Sequence, residues 1–174
     1  MMVQHSTLIL GGSRSGKSHF AEQRAIASGL PVTYIATAPH IAGDDEWQAR
    51  ITRHRQRRPA TWQTVEEPLQ LVAVLQGMQQ HGHLLLVDCL SLWLSNLLYH
   101  QCNVQQAQQE LCQLLSNTTC PLLLVSNEVG MGLVPEHAAS RAFRDAQGQL
   151  NQAVAAVVDE VFFITAGLPL TLKG

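Results

Sequence analysis

One octapeptide constrains this chain more than any other stretch. Gly11-Gly12-Ser13-Arg14-Ser15-Gly16-Lys17-Ser18 matches the pattern G-x-x-x-x-G-K-[ST] in full. It follows a short apolar run and opens a helix-forming stretch, the setting such a loop needs in order to work. Gly11 and Gly16 let the backbone turn tightly with its N–H groups facing inward. Those groups and the following helix N-terminus form a nest for an anion. Lys17 adds a mobile positive charge suited to β- and γ-phosphates, and the Ser18 hydroxyl can ligate Mg²⁺.

A loop of this kind sits between a buried strand and a helix, and the rest of the chain supplies more of both. Apolar patterning and breaker residues predict strands over 7–10, 32–36, 61–65, 84–87, 122–125 and 161–165. An edge strand is expected over 170–172, folded back after Gly167 and Pro169. Helices are expected over 18–28, 44–58, 68–80, 90–99, 104–117 and 138–158. The 68–80 helix would carry Leu69, Val72, Ala73 and Leu75 as its apolar stripe. The 138–158 helix has weak points at Gly148 and Asn151. Strands alternating with helices predict a doubly wound α/β domain spanning 1–174, with a mainly parallel sheet and helices on both faces. Strand order is not readable from this pattern.

Composition agrees with a packed domain. Of 174 residues, 46% are hydrophobic and 14% charged, and the net charge is -2. That balance gives no pull toward nucleic acid or an anionic membrane. The N-terminus lacks a basic region followed by an apolar run, and no apolar run approaches the ~20 residues that span a bilayer. Cys89, Cys102, Cys112 and Cys120 have no C-x-x-C spacing. Reduced thiols in a cytoplasmic protein are expected.

A phosphate-binding loop also wants an acidic residue at the end of another buried strand. Asp88 follows Leu84-Leu85-Leu86-Val87 and occupies that position. It can hold Mg²⁺ through water or hydrogen-bond a ligand; it can equally cap the helix that begins at Leu90. Glu66 and Glu67 follow a predicted strand. A carboxylate there can pair with a guanine edge, or simply supply charge to the next helix. Asn127-Glu128-Val129-Gly130-Met131-Gly132 reads as a turn near a ligand or a neighbouring subunit. No N-K-x-D sequence occurs, which argues against a switch GTPase.

Five of the eleven Lys and Arg residues fall at Arg50, Arg53, Arg55, Arg57 and Arg58, with His54 among them. Helical spacing puts His54 beside Arg50, Ile51, Arg57 and Arg58. Neighbouring positive charge favours the neutral, nucleophilic imidazole, while the arginines can grip phosphate. From spacing alone a solvated basic face explains the run at least as well. A nucleic-acid surface is disfavoured by the acidic net charge and by little aromatic interleaving beyond Trp62. His81 and His83 flank Gly82 and are expected to be exposed.

Taken together, these residues resemble a known family. Gly11–Ser18, YIATA from Tyr34 to Ala38, Asp44–Glu46 with Arg50-Ile51 and His54, Arg58-Pro59, Trp62, Thr64-Val65-Glu66, VDCL from Val87, SNEVG from Ser126, Val134-Pro135, Phe143-Arg144-Asp145, Asn151 and Asp159-Glu160-Val161 follow in order. They resemble the bifunctional adenosylcobinamide kinase / adenosylcobinamide-phosphate guanylyltransferases of cobalamin biosynthesis. Trp47 departs from the methionine-like residue of that pattern, and the segment from Tyr99 to Gln109 has no match in it.

The resemblance implies a P-loop α/β fold, a homotrimer and two reactions. In the first, ATP or GTP phosphorylates the aminopropanol hydroxyl of adenosylcobinamide. In the second, GMP passes from GTP to that phosphate through a GMP–histidine intermediate, with Mg²⁺ as the metal. It makes His54 and Lys17 the catalytic residues. Gly11 to Ser18, Thr37, Ala38, Pro39, Arg55, Gln56, Arg57, Arg58, Glu66 and Asp88 become the nucleotide site. A simple P-loop kinase without a covalent step, or a non-enzymatic nucleotide- or RNA-binding module, are the competing readings.

Overall fold

The computed structural model describes residues 6–39, 43–80 and 82–174, without the side chains of Glu46, Trp47 and Arg50. The polar N-terminal residues 1–5, residues 40–42 and His81 lie outside that description. So do the side chains of Arg50 and Trp47.

Among the described residues seven strands form one sheet: β1 (Ser6–Gly11), β2 (Val32–Ala36), β3 (Gln63–Glu66), β4 (Leu84–Asp88), β5 (Leu122–Asn127), β6 (Glu160–Thr165) and β7 (Leu168–Lys173). Their order is β3-β2-β4-β5-β1-β6-β7. All neighbours run parallel except β6 and β7, which are antiparallel. The two-residue turn between them, Ala166-Gly167, has positive φ at both residues (50° and 77°), the backbone form that matches strand twist.

Helices α1 (Lys17–Ala27), α2 (Asp45–Gln56), α3 (Leu71–Met78), α4 (Leu90–Tyr99), α5 (Val104–Leu115) and α6 (Ala138–Val157) connect the strands. Side chains alternate across the sheet, so two cores form. On one face Ile9, Tyr34, Leu86 and Val125 pack with Ala21 and Ala25 of α1. On the other, Leu8, Leu10, Val87 and Leu124 pack with Leu75 of α3, Trp93 of α4, Leu111 of α5 and Val154 of α6. The continuous apolar runs of β4 and β5 follow from burial on both faces.

Some boundaries differ from expectation. α3 starts at Leu71 because the Glu67 carboxylate accepts from the backbone N–H groups of Leu69 and Gln70 and holds that segment as a turn. Ala73 is exposed and Leu69 packs from outside the helix. α2 ends at Gln56, which leaves Arg57 and Arg58 in the following turn. β7 is twice as long as expected. Asn151 does not weaken α6. It is buried, accepts from Ser126 Oγ at 2.7 Å and donates to the Asn127 carbonyl at 3.0 Å. His83 is half-buried, with Nε2 2.7 Å from Thr33 Oγ1, so the expectation of an exposed side chain fails there.

The strand register decides where the site lies. Gly11 pairs with Asn127, and Ala36 pairs with both Asp88 and Glu66. The candidate site residues on the sheet, Gly11, Glu66 and Asp88, therefore end at one edge together with Asn127, the carboxyl side of the parallel strands.

Candidate active site

The chain leaves β1 at Gly11 and enters α1 through Gly16, whose φ of 99° is open to glycine at little cost. Gly16, the residue before α1, has no side chain with which to cap the helix, and the N–H groups of a helix's first turn suit an anion. Gly11 is required for a different reason. A Cβ there would stand 2.4 Å from Ser15 Oγ and 2.6 Å from the Ile164 carbonyl oxygen. The loop is braced from outside by the β6–β7 turn, where Gly167 N–H donates to the Ser15 carbonyl at 2.8 Å. Lys17 is buried, and its ammonium donates to the Gly12 carbonyl at 2.9 Å.

Facing the loop is a cavity of about 520 Å³, lined by Arg14 to His19 on one side and by Asp44, Arg53, His54 and Arg57 on the other. Among the described lining residues, four permanent cations (Arg14, Lys17, Arg53 and Arg57) and two histidines face one carboxylate, Asp44. Such a cavity favours a polyanion. His54, three residues before Arg57 on the helical spacing, has Nδ1 3.4 Å from Arg57 Nη2. The same guanidinium nitrogen donates to Glu22 Oε1 at 3.2 Å.

Behind this wall lies a second layer of charge. Glu22 on α1 is almost fully buried, and desolvation pushes its carboxyl above the usual range although Arg57 opposes the shift. Tyr34 donates its hydroxyl to Asp88 at 2.8 Å. Burial and then the Asp88 charge hold the Tyr34 hydroxyl well above its ordinary range. The Arg58 guanidinium lies 3.5 Å over the Tyr34 ring and donates to Thr64 Oγ1. Cys89 is no rival nucleophile, since burial and the adjacent Asp88 push its thiol up to about 12.

The predicted site residues thus divide. Arg14, Ser15, Gly16, Lys17, Ser18, His54 and Arg57 meet around one cavity, with Gly11, Gly12 and Ser13 forming the loop behind them. Asp88 lies at the end of β4, and the residue that precedes α4 is Cys89, so Asp88 does not act as its cap. Glu66 is ion-paired with Arg55 at the end of β3. Gln56 is exposed and Ala38 and Pro39 half-buried. Thr37 is fully buried: its hydroxyl donates to the Cys89 carbonyl and accepts from the Cys89 N–H, which ties the ends of β2 and β4 together.

Sequence reasoning missed Glu22 and the lining residue His19; it singled out Asp44 and Arg53 in their local patterns but did not assign them to the nucleotide site. Glu22 stands four residues after Ser18, hence on the same face of α1 as the loop, and that spacing is a signal it could have used.

Among the described residues no cluster of three His, Cys, Asp or Glu could cage a metal.

Comparison with known proteins places the chain. The family model for cobinamide kinase / cobinamide phosphate guanyltransferase matches residues 7–172. The bifunctional adenosylcobalamin biosynthesis protein CobP of Pseudomonas aeruginosa is 50% identical over 171 residues, covering 96% of each chain. The bifunctional adenosylcobalamin biosynthesis protein CobU of Escherichia coli K12 is 37% identical over 181 residues, covering 95% of this chain and 98% of its own. Among solved structures, an ATPase from a type III secretion system is similar with a TM-score of 0.60 at 11% identity. The likeness covers 97% of this chain but only 57% of that one. A Pyrococcus horikoshii OT3 protein gives 0.59 at 10% identity, over 99% and 87% of the two chains. At such identities the likeness is one of fold, and it supports the P-loop α/β architecture. By the extent of the family match and the identity to its relatives, the chain belongs to the cobinamide kinase / cobinamide phosphate guanyltransferase family.

Proposed function

We propose that this chain phosphorylates adenosylcobinamide and then guanylylates the product through His54. The observation that carries the covalent route is the cavity itself, which sets His54 across from the phosphate loop among Arg14, Lys17, Arg53 and Arg57. In the kinase step the aminopropanol hydroxyl attacks the γ-phosphorus of ATP or GTP. The bond from that phosphorus to the β-phosphate oxygen breaks, the nucleoside diphosphate leaves, and the hydroxyl proton passes to solvent. In the second reaction a lone pair of His54 attacks the α-phosphorus of GTP and pyrophosphate leaves. A phosphate oxygen of adenosylcobinamide phosphate then displaces the histidine and gives adenosylcobinamide-GDP. The surrounding cations stabilise charge as it develops on the transferred phosphorus. Mg²⁺ would be held by Ser18 and the nucleotide phosphates, with Asp88 reaching it through water, and would neutralise the leaving phosphate charge.

The test is incubation with GTP labelled at the α-phosphate, with Mg²⁺. Acid-labile, base-stable label that is lost in His54→Ala supports the reading. A kinase without a covalent step leaves the protein unlabelled. The remaining expectations, a homotrimer in the cytoplasm, have their own support. β7 closes one edge of the sheet with Leu168, Leu170 and Leu172 exposed, a surface suited to burial against another copy. The four cysteines are free. Light scattering on the purified protein checks the trimer.

A further inference from the structure

Glu22 has no place in the reaction as written, yet it sits in contact with the machinery. It is 3% exposed, and Arg57 reaches it from a position 46% exposed, so a surface cation is tied to a buried anion. Asp88 and Arg58 also act on Glu22, the first opposing its charge and the second favouring it. Desolvation outweighs the Arg57 attraction and raises the carboxyl's affinity for a proton. A residue present only for packing would serve better without the charge. The charge therefore needs another explanation, and the Arg57 guanidinium offers one. Its Nη2 is shared between Glu22 Oε1 at 3.2 Å and His54 Nδ1 at 3.4 Å. A guanidinium can only donate, so the ring nitrogen it meets must carry the lone pair, and a neutral ring then has its proton on Nε2.

We propose that Glu22 is a positioning residue for guanylyl transfer, acting through Arg57 to orient His54 and set its tautomer. The inference rests on the reading that His54 takes up GMP. Both bonds to Nη2 are long. A phosphate oxygen is a stronger acceptor than a ring nitrogen, so an arriving α-phosphate draws the guanidinium off Nδ1 and exposes that lone pair to the phosphorus. Glu22 anchors the arginine through that exchange, so that it turns toward the phosphate instead of leaving the wall.

The experiment compares wild type, Glu22→Gln, Arg57→Ala and the double variant in single-turnover labelling by α-labelled GTP. Glu22→Gln is expected to slow labelling about tenfold or more, as misplacement of a reacting group does, with GTP half-saturation nearly unchanged. In the Arg57→Ala background the same change is expected to add little, because the two act as one unit. ¹⁵N spectra of histidine-labelled protein, with His54 assigned by His54→Ala, should show an unprotonated Nδ1 in wild type and a shifted signal in Glu22→Gln. Wild-type rates and an unmoved ring signal in Glu22→Gln would overturn the proposal, as would equal slowing with and without Arg57. A wild type that takes no label overturns the guanylylation reading itself, and the role assigned to Glu22 with it.

Discussion

Helices α1 and α2 supply opposite walls of one cavity, and they are held by different forces. α1 continues from β1, a central strand, and buries Ala21 and Ala25 completely against Ile9 and its neighbours. Its phosphate loop is shaped by backbone: the turn at Gly12, the left-handed Gly16 and the brace from Gly167. No described residue of α2 is buried. Its end is tied down by charge, through Arg57 to Glu22, Arg55 to Glu66, and Arg58 stacked on Tyr34. The wall that receives phosphates is thus part of the core, while the wall that carries the proposed nucleophile is a charged attachment to it. Substitutions in the first should unfold the protein before they reveal chemistry. Substitutions in the second should change chemistry at little cost to the fold.

The largest expected effect tests the first wall. Ile9→Ala in β1 removes a fully buried side chain and is expected to cost about 2–5 kcal/mol in urea unfolding. A loss near zero would mean that the loop is not rooted in the core. Gly11→Ala comes next, at about 1–3 kcal/mol with weakened nucleotide binding, because the Ile164 carbonyl beside the added methyl is backbone and cannot simply turn aside. Gly12→Ala is the control, since nothing lies within 4 Å of its added carbon. Equal losses at both glycines would remove the steric account.

At the charged ties that hold the second wall to the first, from Glu22 of α1 to Arg57 and from Arg55 to Glu66, the effects shrink. Glu22→Gln should unfold no earlier than wild type at neutral pH, whatever it does to transfer. The sign follows from the raised carboxyl pKa: the folded state holds the proton more tightly than the unfolded one. That contribution is complete below the ordinary value of 4.5 and is lost as pH rises through the elevated one. The melting-temperature advantage of Glu22→Gln over wild type should therefore grow as pH rises above 4.5. A flat or reversed trend would show that Arg57 more than offsets burial. Arg55→Ala is the smallest case, within about 0.5 kcal/mol, because both partners of its ion pair with Glu66 are exposed.

The same division explains what could be read in advance. The phosphate loop was legible because it is local: eight consecutive residues hold its turn, its charge and its helix start. Asp88 was placed correctly at a strand end because parallel strands bring those ends to one edge, whereas Asn127, read as the start of a turn, is the last residue of β5. Contacts between distant segments were not legible. Glu22 meets Arg57 across 35 positions, and Gly167 braces a loop 152 residues earlier. The start of α3 was missed because a side-chain carboxylate, not helix propensity, decides where the turn stops. Asn151 looked like a helix weakness by type, yet it is the polar side chain that fastens α6 to the end of β5. Arg55 and Arg57 belong to the same run, but one faces Glu66 outside the cavity and the other faces His54 within it. Only the third dimension separates them.

The most direct test of the central claim asks whether the histidine adduct is a working intermediate. The protein is loaded with GMP from labelled GTP, freed of nucleotide and pyrophosphate, and mixed with adenosylcobinamide phosphate. Label should leave His54 and appear in adenosylcobinamide-GDP, mole for mole and as fast as overall turnover. Label that stays on the protein, maps to another residue, or leaves only as free GMP would contradict the account.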